Sequence, residues 1–204
     1  MPENALRHIL KDNIVFAASI PTGRTTIIEP ANEKKADSLK KVEFIGVPAD
    51  TIILRADGMP SSLFRETTHH ACSCHQLSKY KHVSDYIVIA SLNNEKFIIY
   101  IEMKTSPRGK EHIPQLWCAR GQIEYLSFMM ENLEGIAKLS DYKHRYVKFC
   151  KIAIDKTLTD LSKLTSTDIQ KVPELNNKPG KAFEYFISDG VPVNIKDLIY
   201  EFNH

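Results

Sequence analysis

The sequence predicts an α/β fold built on a mixed central β-sheet flanked by helices, and three observations lead there. Two runs rich in β-branched and aromatic residues, VSDYIVIA (83–90) and KFIIYIEM (96–103), stand on either side of Asn93-Asn94 and read as an antiparallel hairpin. An apolar stripe of helical period follows them over twenty residues. Two more strand-like runs, RYVKFCKIAI (145–154) and KAFEYFIS (181–188), come after that helix, an order typical of α/β chains. At 204 residues the chain is sized for one domain, 1–204, with residues 1–60 as a β-rich N-terminal extension of the sheet.

Taken in order, residues 3–10 carry Leu6, Ile9 and Leu10 on one side and suit a short helix that ends at Lys11-Asp12-Asn13. VEFIGV and TIILRA, between Val42 and Ala56, are separated by Pro48-Ala49-Asp50 and read as strand, turn, strand. Asp57-Gly58-Met59-Pro60 breaks the chain, and the polar stretch from Ser61 to His82 suggests no element. Both runs of the hairpin are apolar on both faces, so they belong in the middle of a sheet covered on each side. A basic loop (105–110) leads to the helix. Pro114 suits its first turn, where a missing N–H leaves no bond unmade. Ile113, Leu116, Ile123, Leu126, Met130 and Leu133 form the stripe, and Gly135 is placed to cap it. A Thr/Ser-rich segment runs on to Gly180. Near the C-terminus Asn194 can cap a short helix carrying Ile195, Leu198, Ile199 and Phe202. No internal repeat or low-complexity tract is visible.

Three charged residues stand where a buried hairpin should have none: Asp85 opens the first strand, and Glu102 and Lys104 close the second. Pairing around a four-residue loop (Leu92 to Glu95) sets Ser91 opposite Lys96 and, in the same register, Asp85 opposite Glu102. Residues so opposed share a face with Cβ atoms about 4.5–5.5 Å apart, and like charges there repel. Lys104, two residues beyond Glu102, projects from the same face. A pair of carboxylates at the mouth of an apolar hairpin needs positive charge, and hard oxygen ligands suit Mg²⁺, with Mn²⁺ as a substitute. Beside such a cation a lysine can position the attacking water or stabilise charge on a phosphate.

Ser84-Asp85, a strand, and then Ile101-Glu102-Met103-Lys104 resemble the PD-(D/E)xK nuclease superfamily, which includes restriction and phage-defence endonucleases of prokaryotes. The family pattern is Pro-Asp, one hairpin, then Asp/Glu-x-Lys ending a strand, with a Gln on the following helix. Gln115 matches that Gln, Ser84 replaces the proline, and Glu66 is the nearest upstream acid. The match covers residues 83–120. The resemblance implies a restriction-endonuclease-like core and a nuclease that hydrolyses phosphodiester bonds by a metal-activated water. In that scheme Asp85, Glu102 and the Met103 carbonyl hold the metal, Lys104 orients the water and Gln115 steadies the site. Arg108 and Lys110, in the adjoining loop, would contact phosphate.

Composition narrows the function classes further. Twenty-seven Lys and Arg against 25 Asp and Glu exclude a generally basic nucleic-acid coat but leave room for a local patch. No apolar run is long enough for a membrane-spanning helix, and the start, MPENALRHILKDN, does not look like a signal peptide. Four Cys in such a chain point to free thiols and a cytoplasmic location. His69, His70, Cys72, Cys74 and His75 are dense in zinc-type ligands, yet C-x-C-H is not a usual zinc spacing and a polar loop is favoured. Cys118 and Cys150 read as core. Lys138 to Lys151, with five cations and one Asp, reads equally as a phosphate-binding rim or a solvated helix end. Trp117 and Phe128 give the long helix extra apolar positions, compatible with a homodimer or a larger complex. The expected partner is nucleic acid, DNA in preference to RNA. The alternative is a catalytically silent nucleic-acid- or protein-binding module of the same fold, and a zinc-dependent binding protein comes third.

Overall fold

A computed structural model of the chain describes residues 6, 15–18, 23–28, 41–56, 83–104, 112–134, 139–151, 183–187 and 191–199. Among the described residues the strands are β1 (Val15–Ala18), β2 (Arg24–Ile28), β3 (Lys41–Ile45), β4 (Ile52–Arg55), β5 (Tyr86–Leu92), β6 (Glu95–Lys104), β7 (Lys143–Lys151), β8 (Phe183–Ile187) and β9 (Val193–Asn194). One long helix, α1 (His112–Glu134), joins β6 to β7. Short 3-10 turns occupy Leu139–Asp141 and Ile195–Ile199.

The hairpin forms because its turn and its strands agree. Asn93 and Asn94 both adopt left-handed backbone, at φ 52° and 64°, which a two-residue turn matched to strand twist requires and which asparagine tolerates. The turn fixes the register: Ser91 pairs with Lys96 and Tyr86 with Ile101, as the sequence predicts. Alternation then sorts the side chains, with Ile87, Ile89, Ile98 and Tyr100 on one face and Tyr86, Val88, Ile99 and Ile101 on the other. Both sets are buried, so β5 and β6 lie centrally in a six-stranded sheet of order β1-β4-β5-β6-β7-β8. The sheet is mixed. It is antiparallel from β1 to β6, and β6, β7 and β8 run parallel.

The first face is covered by α1, whose Leu116, Ala119, Ile123, Leu126 and Met130 are all buried against the sheet. Each of the larger side chains contributes roughly 1.5–3 kcal/mol by leaving water. Leu6 is buried in the same layer. The stripe begins one turn later than its pattern suggests, because Ile113 is only half-buried, while Leu133 and Gly135 fall outside the residues whose packing is described. Trp117, Tyr125 and Phe128 lie on the outward side of the helix and are 50%, 40% and 61% exposed.

The second face departs from a sheet flanked by helices. It is covered by a three-stranded sheet, β2-β3-β9, whose Ile27, Val42, Phe44 and Val193 pack with Tyr86, Val88, Ile101 and Phe149 of the main sheet. The turn at Pro48, closed by the Thr51 N–H to the Pro48 carbonyl (3.1 Å), therefore separates strands of two sheets instead of joining hairpin partners. Of the N-terminal region, β1 and β4 extend the main sheet, and β2 and β3 do not. The C-terminal segment forms 3-10 turns in place of an α-helix, begun as expected by Asn194, whose Oδ1 accepts the Lys196 N–H at 3.1 Å. Its Ile195, Leu198 and Ile199 join the same core. β7 starts two residues before the predicted strand. The helix predicted over 3–10, apart from Leu6, and the 61–82 and 155–180 segments lie outside the described residues.

Candidate functional site

β5 begins where β6 ends, and one step beyond the Tyr86–Ile101 pair the hairpin register sets Asp85 against Glu102. The strand alternation gives Asp85, Glu102 and Lys104 the face that α1 covers. Asp85 is fixed from several directions. Its carbonyl accepts the Ala56 N–H at the end of β4 (3.0 Å), and its Oδ2 accepts the Met103 N–H of β6 (2.7 Å). Its neighbour Ser84 donates its N–H to the Gln115 carbonyl in the first turn of α1 (3.3 Å). Three elements thus converge on the Ser84-Asp85 segment: β6 holds the carboxylate, the end of β4 the Asp85 main chain, and α1 the main chain of Ser84.

Glu102 is 1% exposed. Its Oε1 is paired with the Lys104 ammonium, and its Oε2 is buried without a hydrogen-bond partner. Burial, reinforced by the Asp85 charge and opposed by Lys104, pushes the Glu102 carboxyl up to about 8. Two more buried oxygens without hydrogen-bond partners lie on Ser84, next to Asp85 in the chain, and on Gln115 in the first turn of α1: Ser84 Oγ and Gln115 Oε1. A buried acceptor left unmatched costs about 1–3 kcal/mol, so this end of the sheet holds oxygen atoms that gain from a cation or a donor.

The donors present fit a hard divalent cation. In a strand the N–H and C=O of one residue point to the same side, so the Met103 carbonyl faces Asp85 as its N–H does. Two carboxylates and a main-chain carbonyl make an all-oxygen set. Among the described residues no three His, Cys, Asp or Glu side chains come together, so the remaining ligands of an ion here would be water, which Mg²⁺ retains readily.

Gln115 sits in the first turn of α1, half-buried, and its main chain is tied to Ser84. The structure therefore brings Asp85, Glu102, Met103, Lys104 and Gln115 to one end of the sheet. Glu66, Arg108, Lys110 and the cluster His69, His70, Cys72, Cys74 and His75 lie outside the described residues. The stretch ending at Lys151 is not a solvated helix end, since 143–151 is a strand inside the main sheet; Lys138 and the Lys151 side chain lie outside the described residues. Lys143 pairs with Glu95 at the surface (2.5 Å), whereas Arg145 and Lys148 are buried. Cys150 is core as expected, and Cys118 is half-buried.

Lys148 is the charged residue that sequence reasoning passed over. It is 1% exposed, stands opposite Glu102 in the parallel β6–β7 register, and is followed by Glu184 at the same level of β8. Asp85, Glu102, Lys148 and Glu184 thus occupy one level across four neighbouring strands. Alternation was the available signal. With Val147 and Phe149 apolar on one face, Tyr146, Lys148 and Cys150 had to share the other. Farther along that face Tyr100 stacks between Tyr146 and His144 and hydrogen-bonds His144 Nδ1 (2.9 Å), closing the layer beneath α1.

Compared with known protein families, with individual characterised proteins and with solved structures, the chain matches none significantly.

Proposed function

We propose that this chain is a Mg²⁺-dependent nuclease of the PD-(D/E)xK type with a restriction-endonuclease-like core, which hydrolyses phosphodiester bonds of nucleic acid, DNA in preference to RNA, in the cytoplasm. The observation that carries the reading is the meeting of Asp85, Glu102 and Lys104 on one face at one end of the central hairpin, with a buried Glu102 oxygen left unmatched. The mixed sheet with a long helix over that face is compatible with such a core.

Asp85, Glu102 and the Met103 carbonyl would hold the cation, which when bound supplies charge that acidifies water and offsets the phosphate. The protein's own part is placement. The Ala56 and Met103 N–H groups hold Asp85 in position before any ligand arrives, so no reorganisation is needed at the moment of reaction. Lys104, 30% exposed beside a buried Glu102, carries its ammonium at the boundary between core and solvent, where it can orient water and stabilise charge growing on a phosphate oxygen. Gln115, tied to Ser84 through its main chain and with its Oε1 buried, would steady the lysine or the water.

Plasmid DNA incubated with the protein and Mg²⁺ or Mn²⁺ tests this. Cleavage should require the cation, vanish with metal binding in Glu102→Ala, and fall by about a hundredfold or more in Lys104→Ala while metal is still bound. Wild-type protein that binds DNA without cutting it would move the chain to the silent binding module. Cleavage equal to wild type in both variants would remove the site altogether.

A further inference from the structure

We propose that the outward face of α1 is the contact through which two copies of this chain associate, with their helices antiparallel across a twofold axis. This does not depend on the nuclease reading. Trp117, Tyr125 and Phe128 are 50%, 40% and 61% exposed on that face. Gly121 completes their row, because residues three and four apart are neighbours on a helix surface. A Cβ added at Gly121 would meet nothing within 4 Å. Glycine inside a helix weakens it relative to alanine, and nothing in the described packing needs one at 121. The row therefore has a gap at Gly121, with the Trp117 ring before it and the Tyr125 and Phe128 rings after it.

Charge selects the occupant. Arg120 lies in the N-terminal half of α1, while Glu124 and Glu131 lie in the C-terminal half. A polyanion would meet two carboxylates and one guanidinium, and that guanidinium already pairs with Glu124 (2.7 Å) and lies over the Trp117 ring (5.7 Å). An antiparallel copy meets a complement instead. With the axis passing between Glu124 and Tyr125, Phe128 of one copy lies over the partner's Gly121, and Arg120 comes beside the partner's Glu131. Both contacts repeat by symmetry, as an isologous interface requires. Ridge, gap and both signs of charge stand on one face, so a second copy completes it. Half-exposed aromatic rings offer roughly 200–400 Å² per copy. That falls short of the ~800 Å² which a standard stable interface takes from each partner, so the dimer is weak and forms as concentration rises.

Trp117 is the single tryptophan of the chain, and its emission reads this face directly. Sedimentation equilibrium of the whole chain, over a hundredfold range of concentration, is run beside that emission. The mass should climb toward that of two chains while the emission moves to shorter wavelength and resists quenching by acrylamide. Phe128→Glu should raise the dissociation constant by about tenfold or more. Gly121→Leu is the sharper variant. It enters open space in the single chain, so thermal unfolding at the lowest concentration should not fall, yet it fills the gap and should weaken association by about tenfold or more. Should Gly121→Leu misfold by circular dichroism, Gly121→Ala is read in its place and should weaken association several-fold. Wild type that stays a single chain throughout overturns the proposal. Association that either variant leaves intact overturns it too, because the interface then lies elsewhere. Quenching of Trp117 by a single-stranded DNA oligonucleotide, with the chain remaining single, would make the face a base-stacking surface and likewise overturn the proposal.

Discussion

Raising the pH of the metal-free protein from about 5 to about 8.5 should cost it stability, with Glu102 as the main cause. Its carboxyl is 1% exposed and is pushed from an ordinary 4.5 up to about 8, first by burial and then by the Asp85 charge. A group whose pKa is raised on folding contributes its stability in full below the unfolded value. That contribution is lost as the pH climbs through the folded value, so the window here opens near 4.5 and closes near 8. At about 1.4 kcal/mol for each pH unit between them, the loss is on the order of 5 kcal/mol, a large part of what an ordinary domain has. Urea unfolding in the presence of a chelator, at several pH values, measures it. Glu102→Gln, which keeps the shape and removes the titration, should lose several kcal/mol less than wild type over the same interval. Mg²⁺ should restore much of the wild-type loss at the alkaline end, since a ligand bound only by the native state stabilises it by mass action. Wild type and Glu102→Gln curves that run parallel would refute the reasoning, because Glu102 would then ionise as freely in the folded chain as in the unfolded one.

The other expectations follow from single contacts. Gln115→Ala should change unfolding free energy by no more than about 1 kcal/mol, because its buried Oε1 has no partner to lose, while lowering cleavage by about tenfold or more in the plasmid assay. Tyr86→Phe removes a hydroxyl that donates to the Ile28 carbonyl (2.5 Å) and accepts the Ile28 N–H (3.2 Å), so thermal unfolding should show a loss of about 1–3 kcal/mol. Asn94→Ala, at φ 64°, should cost about 1 kcal/mol by urea titration, and Asn94→Gly should cost nothing.

What the sequence makes legible is local. Asn93-Asn94 and two apolar runs dictate the hairpin register, because turn length and alternation are both written in neighbouring residues. The helix is legible for the same reason, through Leu116, Ile123, Leu126 and Met130. Strand order is another matter. VFAA and RTTII are too short to stand out as β1 and β2, and nothing near Pro48 signals that the strands beside it join different sheets. Lys148 looks like one more surface cation in a basic stretch. Only the parallel pairing of β7 with β6, set by the crossover through α1, shows it to be buried opposite Glu102. The opposition of Asp85 to Glu102 could be reasoned from the hairpin, but the hold of Ala56 on Asp85 depends on β4, a strand distant in the chain.

The double bond between Tyr86 and Ile28 bears on how little of this chain could be cut away. A fragment starting at residue 83 would keep Asp85, Glu102, Lys104 and Gln115 in sequence, yet it would lack the Ile28 main chain that the ring clasps one residue from Asp85. It would also strip Ile27, Val42 and Phe44 from the apolar layer over Tyr86, Val88 and Ile101, leaving much of that hydrophobic sheet face uncovered. The site is therefore not a portable hairpin-and-helix cassette. Any trimmed or grafted version has to carry the small second sheet with it, and a chain shortened past β3 should aggregate before its chemistry can be assayed.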